Sequence, residues 1–367
     1  MKMNILSSTA QTEIELITLA LEKEGLPTKF ERLGEGAWHY AYYIPKEDLV
    51  LRLPKKIAYD KEVAFDEKLF KTEYEGTKQF YSHANKVKED ICPKYFRYTV
   101  SEPLTYTIES YAGRTTPLAD QTPAQAKLFG REIGSFFLGL EELEAPLPGV
   151  GYLTLNDDEK LTGFYNMNLQ AMIREETEEY QQELEALLSS PYPFDKEKVA
   201  AFGRELIAQR AVESEKCIFT NQDTSPENIL FTSGGIRIID PYPILYTGTS
   251  LAANFAFNYQ TLFHSLHNTR RYGKGNYQHV VPQLKANAEG FIEAYTSGSE
   301  QKQKDLTVEV FIKLVTMAHD HLDLLQRERL NEEQIIRFGT KGQIEERLRF
   351  FLNELEHYPR RMKHGIL

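Results

Sequence analysis

The stretch 216–246, KCIFTNQDTSPENILFTSGGIRIIDPYPILY, constrains this 367-residue chain most, because it sets three oxygen-bearing side chains around a short hairpin. The runs at 229–232 and 236–239 are rich in β-branched and apolar residues, and Ser233, Gly234 and Gly235 between them supply the positive-φ positions of a tight turn. Asn228 precedes the first strand and Asp240 follows the second, so an amide oxygen and a carboxylate meet at the open end of the hairpin. Oxygen ligands of this kind suit magnesium. Asp223 stands upstream on a segment that Pro226 turns from a helix into a loop, which leaves its carboxylate free to face the same place. An Asx-rich loop beside a structural hairpin would carry the same residues with its carboxylates solvated, but would not account for what lies upstream.

The run Asp223, Thr224, Ser225, Pro226, Glu227, Asn228, followed by Ile238, Ile239 and Asp240, resembles the catalytic loop and metal-binding Asp of the protein-kinase-like superfamily. The resemblance implies that Asp223 accepts the proton of a substrate hydroxyl, while Asn228 and Asp240 hold magnesium on nucleotide phosphates. The sequence departs from the superfamily pattern twice, and the second departure directs the resemblance to the aminoglycoside phosphotransferase and choline kinase branch. Asn221 and Gln222 replace the residues usual before the loop, and Pro241 and Tyr242 stand where a regulated protein kinase has Phe-Gly.

Composition sets outer limits. The chain is 41% hydrophobic and 26% charged, which is ordinary for a globular protein. A formal net charge of −11 argues against nucleic acid as a partner. Cys92 and Cys217 are the only cysteines, too few for a disulfide framework or a structural zinc site. The first residues lack an apolar signal core, and no later run reaches the roughly 20 apolar residues of a membrane span. The expectation is a cytoplasmic protein with no membrane partner.

Along the chain, Ile14, Ile17 and Leu21 fall at helical spacing until Gly25 and Pro27 stop the pattern. Residues 28–32, 39–44 and 49–53 predict three antiparallel strands. Gly34 and Gly36 lie in the first turn, where backbone N–H groups can approach a phosphate with no Cβ in the way. Leu49, Val50, Leu51 and Arg52 resemble the Val-Ala-Ile-Lys strand of the superfamily, with Arg52 in the place of the phosphate-pairing lysine and Lys55 and Lys56 as alternative phosphate contacts. A guanidinium in a partly buried strand needs a carboxylate. The helix expected over 61–83 offers Glu73 on the side marked by Leu69, Phe70, Phe80 and Tyr81, with Glu62, Glu67 and Glu75 as competitors. Residues 94–100 and 104–108 complete a five-stranded sheet. The run from Thr107 to Gly113 resembles the hinge of aminoglycoside phosphotransferase-like proteins, which implies that Glu109 and Tyr111 receive the adenine edge through their main chain.

From Thr122 the pattern is helical: 122–143, 167–188, 194–212, 251–266, 279–295, 306–325, and 332–355 with a break at 339–342, while 146–163 reads as a connection. His319, Asp320 and Asp323 are candidate acceptor contacts, although residues two apart on a helix diverge and make a poor metal cluster. The expected fold is α+β and two-lobed, protein-kinase-like: residues 1–111 form a nucleotide-binding lobe with a small antiparallel sheet, and 112–367 a larger helical lobe for catalysis and acceptor binding. The resemblance implies transfer of the γ-phosphoryl group of ATP, with Mg2+, to a hydroxyl of a small molecule such as a metabolite, amino alcohol or antibiotic. A protein acceptor, or a pseudokinase that only binds nucleotide, is the alternative.

Overall fold

The computed structural model describes residues 2–363, with side chains for residues 12–360. Helix α1 (Lys2–Lys23) leads in, burying Ile17, Ala20 and Leu21 while Ile14 faces solvent. Gly25, at φ 68°, turns the chain out of it. Strands β1 (Glu31–Glu35), β2 (His39–Ile44) and β3 (Leu49–Pro54) form an antiparallel meander. The first strand begins and ends later than its sequence suggested. A bulge between Arg32 and Gly34 keeps Gly34 inside the strand, so the turn falls at Gly36, whose N–H donates to His39 O at 2.8 Å.

The helix expected from residue 61 starts later, because a miniature hairpin precedes it. Strands β4 (Ile57–Ala58) and β5 (Lys61–Glu62) are joined by Tyr59 and Asp60, both left-handed at φ 51° and 59°. Neither residue is the glycine or asparagine that announces such a turn. Helix α2 (Glu67–Val87) then opens on an Asp66 cap whose side chain accepts from Leu69 N–H, and it buries Tyr74, Phe80, Tyr81 and Ala84. Leu69 stays exposed, contrary to the expected apolar side. Strands β6 (Phe96–Thr99) and β7 (Tyr106–Ser110) complete a five-stranded antiparallel sheet in the order β1-β2-β3-β7-β6.

The remainder is mainly helical. Helix α3 (Pro123–Glu141), opened by a Thr122–Gln125 capping box, lies backbone to backbone on α8 (Val281–Thr296). Glycine makes that approach possible: a Cβ at Gly130 would overlap the Asn287 carbonyl, and one at Gly290 the Lys127 carbonyl. The stretch that reads as a connection holds strands β8 (Val150–Leu155) and β9 (Leu161–Tyr165) instead. After α4 (Leu169–Ser189) and α5 (Lys196–Ala208) come β10 (Cys217–Asn221), the hairpin β11 (Ile229–Thr232) and β12 (Gly235–Ile238), and β13 (Pro243–Thr247). A second sheet runs β10-β13-β8-β9.

Helix α6 (Gly248–Phe257) passes through a wide turn at Asn258–Leu262 into the short α7 (Phe263–Ser265). Helices α9 (Glu300–Gln326), α10 (Glu332–Phe338) and α11 (Lys341–Lys363) close the chain, with the expected break at Gly339. A small core gathers Ile17, Leu21, Leu51, Leu53 and Ile108; a large one fills the helical part and takes in Phe80 and Tyr81 of α2. Among the described residues no helix is long and apolar enough to cross a membrane.

Candidate active site

Strand β10 delivers the Asp223 loop, and buried Asn221 at its end fixes the loop's shape. The Asn221 Oδ1 accepts the N–H groups of Asp223 (3.0 Å) and Tyr242 (2.8 Å), while its Nδ2 donates to Asp223 O at 2.7 Å. One amide thus ties the loop to the segment after Asp240. The Asp223 carboxylate accepts Ser225 N–H at 2.8 Å on Oδ1 and Asn228 Nδ2 at 2.8 Å on Oδ2. Burial pushes this carboxyl above its ordinary range, and those hydrogen bonds oppose the shift.

The hairpin forms as its sequence suggests, with Ile229 paired to Ile238 and Thr232 to Gly235. Its open end is closed by Ile239 N–H on Asn228 O at 3.0 Å and by Asn228 Nδ2 on Asp240 O at 3.3 Å. Asp240 itself is left-handed, at φ 48°, a conformation rare outside glycine though more tolerated by Asp and Asn. Asp223, Asn228 and Asp240 are therefore brought together.

Arg52 arrives from β3 between the buried Leu51 and Leu53. Its Nε donates to Glu109 Oε1 at 2.8 Å, and its Nη1 lies 3.4 Å from Asp240 Oδ2. This corrects the expected pairing with Glu73. The register sets Val50 opposite Glu109 and Arg52 opposite Thr107, so Glu109 is a diagonal neighbour of Arg52 on the same face of a rigid sheet. It also corrects Glu109's expected role, since its buried carboxylate, and not only its main chain, takes part in the site. Burial disfavours the charge on Arg52, but Glu109 and Asp240 outweigh that and hold the guanidinium charged.

The Glu73 carboxylate instead approaches His39 Nε2, at 4.0 Å, and burial together with the charge on Asp240 pushes it up to about 7. His39 shares its Nε2 with Tyr74 Oη at 3.0 Å, and burial drives the imidazole down to about 4, hence neutral. Of the competing carboxylates, Glu67 pairs with Lys71 and Glu75 accepts from Tyr98. Lys55 reaches Glu35 at 3.5 Å, and Lys56 is exposed.

A cavity of about 610 Å³ lies between the five-stranded sheet and these residues. Gly34, Gly36, Arg52, Glu109 and Tyr111 line it together with Asn228 and Asp240, and Ala41, Val50, Leu230 and Ile239 give it apolar walls. The Tyr111 N–H is already engaged by Asp48 O at 2.9 Å, so the hinge donor assigned to it is not open here. Sequence reasoning passed over the far wall. There Arg270 meets Asp60 at 2.9 Å, Arg271 meets Glu227 at 2.9 Å, and Lys274 completes a basic edge whose signal is the run RRYGK.

Tyr152 and Tyr242, both substantially exposed and 5.6 Å apart between ring centres, flank Gln222 beside the Asp223 loop. His319, Asp320 and Asp323 do not line the cavity: His319 faces Glu183, and Asp323 pairs with Arg327. Among the described residues no group of three or more His, Cys, Asp or Glu could hold a metal ion. Asn228 and Asp240 could still share one whose remaining ligands come from a bound molecule: Asn228 engages its nitrogen with Asp223 and Asp240, leaving its amide oxygen, and the Asp240 side chain is 39% exposed.

No family model matches the sequence, and no curated protein matches it. Solved structures do. Aminoglycoside phosphotransferase APH(4)-Ia aligns over 95% of this chain and 99% of its own at 12% identity, with a TM-score of 0.54. A thermostable mutant of it, in ternary complex with AMP-PNP and hygromycin B, aligns over 93% and 97% at 14% identity, with a TM-score of 0.53. With a small antiparallel sheet, a mainly helical remainder and these likenesses over nearly the whole chain, the protein has the two-lobed, protein-kinase-like α+β fold in the form taken by the aminoglycoside phosphotransferases.

Proposed function

We propose that this chain is an ATP-dependent phosphotransferase whose acceptor is a hydroxyl of a small molecule. The observation that carries the reading is the convergence of Arg52, Asn228 and Asp240 on one cavity, with Asp223 bonded to Asn228 at 2.8 Å. Bound ATP and magnesium would supply the transferable γ-phosphoryl group and the neutralisation of its charge. Ala41, Val50, Leu230 and Ile239 would enclose the base, Gly34 of β1 and the turn at Gly36 would cover the phosphates, and the Arg52 guanidinium, fixed by Glu109, would meet them as a cation. Asn228 and Asp240 would hold the metal. Asp223 orients the acceptor hydroxyl and takes its proton. In this reading residues 1–111 form the nucleotide lobe and 112–367 the acceptor lobe. The AMP-PNP and hygromycin B bound by the similar structure support a nucleotide and a small-molecule acceptor.

Incubation with γ-labelled ATP and magnesium, first with a cell-extract metabolite pool and then with protein fractions, tests this. Label in a small molecule supports it. Label confined to protein would favour a protein acceptor, and nucleotide binding without transfer to either would favour a pseudokinase.

A further inference from the structure

We propose that Tyr81 is a positioning residue for the metal-binding Asp240, coupling helix α2 to the site through a phenol. The inference rests on the phosphotransferase reading. The Tyr81 Oη donates to Glu109 Oε2 at 2.9 Å and accepts Asp240 N–H at 3.2 Å. A neutral phenol has one proton to give and lone pairs to receive with, and a carboxylate only accepts, so the direction of both bonds is fixed. The circuit then closes. Arg52 Nε donates to the other oxygen of Glu109 at 2.8 Å, and Arg52 Nη1 lies 3.4 Å from Asp240 Oδ2. Four residues from β3, β7, α2 and the segment after β12 make one ring, which closes through the Asp240 main chain.

Its consequence falls on the backbone of Asp240. That residue is left-handed at φ 48°, so its carboxylate keeps its aim only while its peptide groups are held. Tyr81 takes the N–H, and Asn228 Nδ2 donates to the C=O at 3.3 Å. Tyr81 is buried and its ring stands edge-on to Phe96, 5.5 Å between centres, so the phenol cannot swing away without moving α2 or β6. A displacement of α2 therefore reaches the metal ligand through this oxygen, while Glu73 on the same helix lies toward His39.

Tyr81→Phe removes the oxygen and keeps the ring. A suitable control is Tyr98→Phe, which removes another phenol bonded to a carboxylate, that of Glu75 at 2.9 Å, away from the cavity. Calorimetric titration of ATP into each protein, across magnesium concentrations and in chelator, separates positioning from stability. In Tyr81→Phe the magnesium needed for half-maximal ATP affinity should rise about tenfold, with metal-free affinity unchanged. Tyr98→Phe should match wild type in both. The inference is overturned if Tyr81→Phe keeps the wild-type magnesium dependence, or loses metal-free and metal-bound affinity equally. A wild-type protein that binds ATP with no response to magnesium would overturn the phosphotransferase reading itself, and this inference with it.

Discussion

Arg52 and Glu109 form a largely buried ion pair across adjacent strands, with 2.8 Å between Nε and Oε1, and this pair sets Arg52 in place at the cavity. A pair between neighbouring strands of one sheet is aligned by strand register and not by the position of a helix. The sheet therefore aims Arg52 at the cavity, and α2 touches the pair through Tyr81, whose Oη donates to Glu109 Oε2.

Removing Glu109 should be costly. Glu109→Ala leaves a buried guanidinium with only Asp240 as a carboxylate partner and strips Tyr81 of its acceptor, so folding stability should fall by about 3 kcal/mol or more. Glu73→Ala, whose carboxylate does not pair with Arg52, should cost well under half of that. Denaturant titration of the two variants compares them, and equal losses would speak for a helix partner after all.

Glu73 also makes a pH prediction. Burial and the charge on Asp240 raise its carboxyl from 4.5 to about 7, so the folded protein binds this proton more tightly than the unfolded chain. Its contribution to stability is fully present below the unfolded value and is lost as pH rises through the folded one. Because 39% of the side chain is exposed, solvent screening reduces the effect to about 1 kcal/mol. Glu73→Gln should then be more stable than wild type by that amount at about pH 8 and indistinguishable at about pH 4. A difference of the same size at both would exclude titration as its cause.

Much of this was legible in the chain. The Asp223, Asn228 and Asp240 constellation follows from local turn chemistry and one short hairpin, which spacing encodes directly. Strands β8 and β9 were hidden because Gly149, Gly151 and Gly163, which let them pass closely, are residues that otherwise mark loops. The partner of Arg52 was misread for a different reason: Glu109 is 57 residues away, and only register makes it a neighbour. Helical spacing brought Glu73 to notice but says nothing of what α2 faces. The turn at Tyr59 and Asp60 carries no glycine, and the basic edge at Arg270 and Arg271 acquires meaning only when that turn meets it.

Asp60→Ala tests that contact. The ion pair between Asp60 and Arg270 is exposed, so its loss should change stability by less than about 1 kcal/mol. It nevertheless joins the β4–β5 hairpin to the far wall of the cavity, and its removal should speed nucleotide dissociation severalfold in stopped-flow measurements. Unchanged dissociation would mean that the hairpin does not restrain the bound nucleotide.

Asp240→Ala removes the one carboxylate among the proposed metal ligands. Magnesium-dependent ATP affinity should drop by about 1.5–3 kcal/mol, with a smaller change in chelator. Equal affinities with and without the metal, in wild type and variant alike, would exclude Asp240 as a ligand.

The central claim, phosphoryl transfer with Asp223 acting on the acceptor, is tested most directly by measuring transfer from γ-labelled ATP and ATP affinity in the same preparations of wild type and Asp223→Asn. Wild type should label a small-molecule acceptor, and the variant should lose at least about a hundredfold in turnover while ATP affinity stays within about threefold. Full turnover by Asp223→Asn would contradict the account.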